Sequence, residues 1–389
     1  MNQQSRKDLP NISTCPACGL LCDDVNPSTI GCAKSIAFFN QPTGRQNAQI
    51  KGADVSFEQA IQAASAILKH AKQPFFAGLS TDIEGFRAVN ALAHKSNGSM
   101  QHMNHTSTQC NMRVLQTSGW QTTTLTEVKN HADLILCIGT DIVSHNPRFF
   151  ERYVAPEGMF AGGKVNSREV IYIGTPHAPK GSSKLPCSEA NLPEVLAVLQ
   201  ALLLNKSLKM TEVAGISLTE LHNLADKLKA AKYSVLAWVS KDLGLAHAEL
   251  TIGKITEIVA TLNLSTRASG LPLGGSDGDT SVNYAHTWLN GVIINSEDVH
   301  DYDALVWVNS FNSDKLPPHS NVPSIAVGNP NMHFEQAPNV FIPIATPGLE
   351  ANGSLFRVDG SVTLPLKKIR ESKLPTLAEV LREIEGALA

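Results

Sequence analysis

The sequence predicts an α/β protein: a small cysteine-bearing head, then parallel sheets covered on both faces by helices. Three observations predict it. Four of the seven cysteines, Cys15, Cys18, Cys22 and Cys32, fall within eighteen residues. Behind them, short uninterrupted apolar runs alternate with amphipathic helical patterns, as buried parallel strands and their crossovers require. The 389 residues leave room for two or three domains and a large core.

Ser56-Phe57-Glu58-Gln59 forms a capping box, in which the serine hydroxyl and the side chain three residues on satisfy first-turn amides. It opens a helix with apolar residues at Ala60, Ile61, Ala64, Ile67, Leu68 and Ala71. Pro74 follows as punctuation, and Phe75-Phe76-Ala77-Gly78-Leu79 is short and apolar enough for a buried strand. Thr81-Asp82-Ile83-Glu84 caps a second helix reaching about Ser96. Further strands are expected over 133–138, 169–174, 233–239, 304–308, 324–327 and 340–344. Helices are expected over 192–204, 217–231 (Ser217 capping, Glu220 three on) and 248–262. There is no internal repeat and no low-complexity tract.

Hydrophobic residues make up 42% of the chain and charged residues 17%, an ordinary globular balance. A net charge of −3 supplies no basic field, so neither nucleic acid nor an anionic membrane is an expected partner. No apolar run approaches the ~20 residues of a membrane span. The opening Met1–Asp8 has no apolar stretch behind its charges, so no signal peptide is expected. Seven mostly clustered cysteines suit a reducing cytoplasm better than a disulfide framework.

The C-x2-C-x3-C-x9-C spacing of the head is that of metal ligands. A [4Fe–4S] cubane and a tetrahedral zinc both take four thiolates, and the spacing does not choose between them. Cys110 lies in the polar segment Asn104–Arg113, expected just ahead of a helix. There a helix N-terminus would lower its pKa and make it a nucleophile or soft ligand; otherwise it is passive. Cys137, in an apolar strand, and Cys187, in a loop, read as structural. His145-Asn146-Pro147-Arg148 sets a His and an Arg beside a helix start, either an anion or cofactor contact or a capped turn. Gly270–Asp279 holds four glycines in ten residues, so the backbone turns tightly there or approaches something closely. It is neither a P-loop nor a dinucleotide fingerprint. Gly328-Asn329-Pro330-Asn331 follows a strand where α/β sheets commonly bind ligands, unless it is a plain connection.

The head Cys15-Pro16-x-Cys18-Gly19-x-Leu21-Cys22-Asp23-Asp24 resembles the opening of the catalytic B subunits of formylmethanofuran dehydrogenases, within the molybdopterin oxidoreductase superfamily. The resemblance continues at Leu125–Asp133, His145–Arg148, Arg152-Tyr153, Gly348–Ser354, Arg357–Gly360 and Lys367-Lys368, in family order along nearly the whole chain. It implies a cysteine-cluster domain over 1–49 and two interleaved parallel-sheet α/β domains. One is built from 50–110 plus 300–389, the other from 111–299. Residue by residue, it implies Cys15, Cys18, Cys22 and Cys32 as cluster ligands and Cys110 as the position that ligates molybdenum or tungsten.

The chain also departs from the family. Its fourth cysteine arrives after a shorter gap. Asn111, Met112 and Arg113 stand where the family has His-Gly-Pro, and Leu273-Gly274-Gly275-Ser276 where it places Arg-Gly-His. Asn309–Asn312 and Gly328–Phe334 keep little of the pterin-binding code. Losing the Arg and His removes the charge clamp and the proton-transfer group that metal chemistry there would need.

A related lineage in methylotrophic bacteria has no redox step: a formyltransferase/hydrolase complex whose A subunit hydrolyses the formyl group and whose D subunit exchanges it with tetrahydromethanopterin. The resemblance therefore implies a cytoplasmic, structural B-type component with A, C and D partners, serving oxidation of formaldehyde to formate. It would hold [4Fe–4S] or zinc in the head and no Mo/W-bis-pterin. The alternative is a working formylmethanofuran dehydrogenase catalytic subunit with its metal at Cys110. A third is a standalone zinc or iron–sulfur protein.

Overall fold

The computed structural model describes residues 12–27, 31–155, 168–175, 177–179, 182–244, 248–294 and 301–388. Met1–Asp8 and the expected boundary at 299/300 lie outside these residues. The fold is α/β, built on two mainly parallel sheets. The chain divides into two compact units: residues up to 105 together with those from 275 onward, and residues 106–274.

In the first unit, five parallel strands lie in the spatial order Val340–Pro343, Ser324–Gly328, Ala304–Asn309, Pro74–Ser80 and Ser99–His102. The short strands Ala48–Ile50 and Ala53–Val55 extend the Val340–Pro343 edge antiparallel. Alternate residues serve the two faces. Phe76, Val306, Val308, Ile325, Val327 and Ile342 pack with helices Phe57–His70, Ile83–Lys95 and Leu377–Ala387. Phe75, Leu305, Trp307, Ala326 and Phe341 face the other way, against Met332 and Phe334. Gly78 (φ +78°) and Leu79 (φ +56°) bulge strand Pro74–Ser80 where its register with Trp307–Asn309 slips. A Cβ on Gly78 would stand 2.6 Å from the Val308 carbonyl oxygen.

The second unit holds five parallel strands, ordered Arg267–Pro272, Tyr233–Trp238, Leu134–Ile138, Glu169–Ile173 and Ser183–Leu185. Leu134, Leu136, Ile138, Ile171, Ile173 and Leu236 bury against helices Leu192–Leu203, Leu218–Ala230 and Ala248–Leu262. The capping boxes at Ser56 and Ser217 are present as expected, each serine accepting from the amide three residues on.

Some elements lack the expected signal. Helix His105–Thr117 buries only Val114 and is mostly polar, with Cys110, Met112 and Leu115 as its other apolar residues. Strand Ser99–His102 is a polar edge. Arg267–Pro272 takes the first three residues of the glycine-rich stretch into a strand.

Phe76 is fully buried in the strand beside the edge strand Ser99–His102 of the first sheet, so Phe76→Ala is expected to cost ~3–5 kcal/mol of stability. Leu264, 81% exposed, should change to Ser within about 0.5 kcal/mol of neutral. Urea unfolding midpoints check both.

Candidate functional site

The cysteine head is a short closed loop. The Cys15 amide donates to the Cys22 carbonyl at 2.9 Å, and the Leu21 amide to the Cys18 carbonyl at 3.2 Å. Leu21 takes φ +44° to make that turn. Cys32 caps helix Ala33–Phe39, with the Ser35 hydroxyl donating back to its carbonyl at 2.8 Å. Cys15, Cys18 and Cys22 are buried and Cys32 half-buried, so this polar, turn-rich stretch is nevertheless covered.

Burial pushes the Cys15 thiol well above its usual range. An amide contact from Ala17 opposes this, and the neighbouring Cys18, Cys22 and Cys32 thiols push it further up. Burial thus disfavours the Cys15 thiolate, whereas a cation beside it reverses that balance. The donor set thus has the chemistry of a soft-metal site. Among the described residues, no three His, Cys, Asp or Glu side chains are placed as one ion would hold them.

The glycine-rich loop forms a cradle under this head. Gly275 (φ +72°) lies so close that a Cβ would stand 2.7 Å from the Gly19 Cα. On its other side, the Val358 amide donates to the Gly19 carbonyl at 2.9 Å. Gly278 (φ +73°) approaches Thr81, whose carbonyl oxygen would be 2.3 Å from an added Cβ. Gly275 and Gly278 therefore serve close backbone approach, and with Gly274 (φ +110°) they also take the left-handed conformations of a tight turn, so both expectations for the stretch are met. The seam between Cys18-Gly19 and Gly275-Ser276 keeps about 10 Å³, the space of a single water at most.

A buried polar cluster that sequence reasoning missed holds the cradle in place. The Asn104 amide donates to His102 Nδ1 at 3.0 Å, which leaves the His102 proton on Nε2, 3.2 Å from the Asp277 carbonyl oxygen. Asn104 Nδ2 donates to Ser276 Oγ at 3.1 Å and to Asp279 Oδ2 at 3.3 Å. Burial pushes His102 down and Asp279 up, so both favour their neutral forms.

Cys110 does not sit ahead of a helix. It lies within His105–Thr117, its thiol donating to the Thr106 carbonyl at 3.4 Å. Away from the helix N-terminus it gains nothing from that pole; burial, and then Glu249, push its pKa up rather than down. Asn111 is engaged too: its Oδ1 accepts from Trp238 Nε1 at 2.9 Å, and its Nδ2 donates to Ser240 Oγ at 3.4 Å. Cys137 is fully buried in its strand, in keeping with a structural part.

His145 and Asn146 prove to be braces. In the second sheet the chain order reverses between Leu134–Ile138 and Tyr233–Trp238, and ligands of α/β sheets bind beyond the carboxyl ends of strands at such a reversal. There His145 Nε2 lies 2.7 Å from Asp242 Oδ2, and the Thr140 hydroxyl donates to the same oxygen at 2.6 Å. Burial works to raise the Asp242 pKa, but the bonds from His145 and Thr140 prevail and the net direction is down. Asn146 clasps Gly274, donating to its carbonyl at 3.0 Å and accepting from its amide at 3.2 Å. Arg148 is neutralised locally by Glu151. The signal for Asp242 was available: Ser240-Lys241-Asp242 follows directly on an expected strand.

In the loops beyond the first sheet the asparagines take internal partners, although the buried Ser310 Oγ has none among the described residues. Asn309 Nδ2 donates to the Lys315 carbonyl at 2.8 Å, and its Oδ1 accepts from the Asn312 amide at 3.2 Å. Asn329 Nδ2 reaches Gln41 Oε1 at 2.9 Å and Thr346 Oγ1 at 3.2 Å, and the Asn331 amide donates to its Oδ1 at 2.9 Å.

Two outcomes are expected. Gly215 (φ +81°) has nothing within 4 Å of an added Cβ, so Gly215→Ala should cost only the ~1–2 kcal/mol of a left-handed alanine. Gly275→Ala should cost more and should speed alkylation of the head thiols, read by mass spectrometry. The Asp242 carboxyl is held down in the folded state. Its contribution is present above the unfolded value of about 3.9 and is lost as pH falls through the lower folded value. Asp242→Asn should therefore flatten the acid limb of a plot of Tm against pH between about 5 and 2.

No family model matches the chain. It is 24% identical to the B subunit of the tungsten-containing formylmethanofuran dehydrogenase 2 of Methanococcus maripaludis, over 91% of this chain and 92% of that protein. To the Fhc B subunit of the formyltransferase/hydrolase complex of Methylorubrum extorquens it is 24% identical, over 88% of this chain and 98% of the relative. A chain in the crystal structure of that organism's formyltransferase/hydrolase complex (FhcABCD), solved with methylofuran, superposes with a TM-score of 0.73 at 23% identity. The match covers 88% of this chain and 98% of that one. Along nearly its whole length, then, the chain is a relative of the B subunits of formylmethanofuran dehydrogenases and of the formyltransferase/hydrolase complex, and it has the fold found in that complex.

Proposed function

We propose that this chain is the B-type component of a formyltransferase/hydrolase complex, positioning A, C and D partner subunits in the cytoplasm and carrying out no redox step itself. The complex would serve tetrahydromethanopterin-linked oxidation of formaldehyde to formate. One observation carries the reading. Where the related oxidoreductases place a metal-ligating cysteine beside a His and an Arg, this chain has a thiol pushed up by burial and an asparagine committed to Trp238 and Ser240. In Leu273-Gly274-Gly275-Ser276 it has a segment with no ionisable side chain. Neither segment supplies the guanidinium charge clamp or the imidazole proton carrier of the related oxidoreductases.

Cys15, Cys18, Cys22 and Cys32 would hold [4Fe–4S] or zinc as a staple. A metal there supplies folding energy to a segment with little apolar mass of its own. The 24% identity to a tungsten-containing enzyme over 91% of the chain favours a second reading, a catalytic dehydrogenase subunit with molybdenum or tungsten at Cys110.

Metal quantification on the anaerobically purified complex separates the readings. The scaffold predicts no molybdenum or tungsten, and about four irons or one zinc per chain, lost in Cys18→Ser. Stoichiometric molybdenum or tungsten with viologen-linked formate oxidation would overturn it.

A further inference from the structure

Two loops of the first unit enclose a cavity of about 440 Å³ between residues 316–324 and 334–339. These segments lead into strands Ser324–Gly328 and Val340–Pro343. The cavity thus lies at the amino ends of those strands, at the opposite end of the sheet from the loops at Asn309 and Asn329.

Both walls are fastened. Leu316, Val322 and Phe334 pack on the sheet face that carries Phe75, Leu305, Trp307 and Phe341. Trp307 Nε1 donates to the Lys315 carbonyl at 3.1 Å, and the Phe334 and Phe341 rings meet edge to face, centroids 5.0 Å apart. The Ser324 amide donates to Asn339 Oδ1 at 2.9 Å, which ties one wall to the other. Pro317, Pro318, Pro323 and Pro338 stiffen the backbone of both.

The polar side chains that line the cavity are mostly hydroxyls and carboxamides with capacity to spare. Gln336 Oε1 lies 3.4 Å from His319 Nδ1, and Gln336 Nε2 is left over. Asn321, Ser324 and Glu335 have no side-chain partner among the described residues. Among those residues no lysine or arginine lines the space. A phosphate or carboxylate would therefore lose its hydration, find no counter-ion and face Glu335. An apolar ligand would strand the amides and hydroxyls. A hydroxyl group both donates and accepts, and a carboxamide can serve it in either direction.

We propose that this cavity binds a monosaccharide. Asn321, Ser324, Glu335 and Gln336 share its hydroxyls, and Phe334 and the prolines meet its C–H face. The volume suits a small ligand, and walls already held in place lose little freedom on binding. This site is independent of the assembly proposed above.

Titration of the purified full chain with D-glucose, D-galactose, D-mannose and D-ribose, read by saturation-transfer NMR and calorimetry, tests it. At least one sugar is expected to bind saturably, and Asn321→Ala/Gln336→Ala to weaken that binding about tenfold or more. Both side chains are exposed, so the variant should melt like wild type. Leu264→Ser in the other unit should bind like wild type. Failure of all four sugars, binding that the double variant leaves undiminished, or displacement of the sugar by equimolar spermidine or inorganic phosphate would overturn the proposal.

Discussion

The structure depends on one close approach, that of Gly275 to Gly19. Backbone meets backbone there at a distance no side chain tolerates, so the cysteine head has a fixed seat without much hydrophobic surface of its own. The seat is held from the other side by the Val358 amide and from below by the His102–Asn104–Asp279 cluster. That cluster is buried and internally satisfied, which makes it specific as well as costly to disturb. Arg357, paired with the buried Asp359 at 2.7 Å, fixes the hairpin that carries Val358.

The same economy recurs elsewhere in each unit, where several polar side chains have taken internal partners. Asn111 braces Trp238, Asn146 braces Gly274, His145 and Thr140 share Asp242, and Asn329 ties its own loop to Gln41.

Much of the fold was legible because local rules and packing agreed. The buried strands read as continuous apolar runs, and the boxes at Ser56 and Ser217 marked helix starts within a residue. Thr376 with Glu379 is a third such box and would have located helix Leu377–Ala387. Helix His105–Thr117 was hidden because its sequence is polar, and with it the true setting of Cys110. At the site, the cysteine spacing and the glycine loop stood out, but the reason for the glycines did not. Gly19 lies more than two hundred and fifty residues from Gly275, and no local pattern announces a contact across that distance. His102 and Asp242 likewise act through distant partners, Asp277 at 175 residues for the first and His145 at 97 for the second.

The central claim is that Cys110 marks a lost metal position and takes no part in chemistry. Formate production by the purified four-subunit complex carrying Cys110→Ser tests it most directly. A scaffold predicts wild-type turnover and an intact assembly. Loss of turnover with the assembly intact would contradict it and favour the reading as a catalytic dehydrogenase subunit.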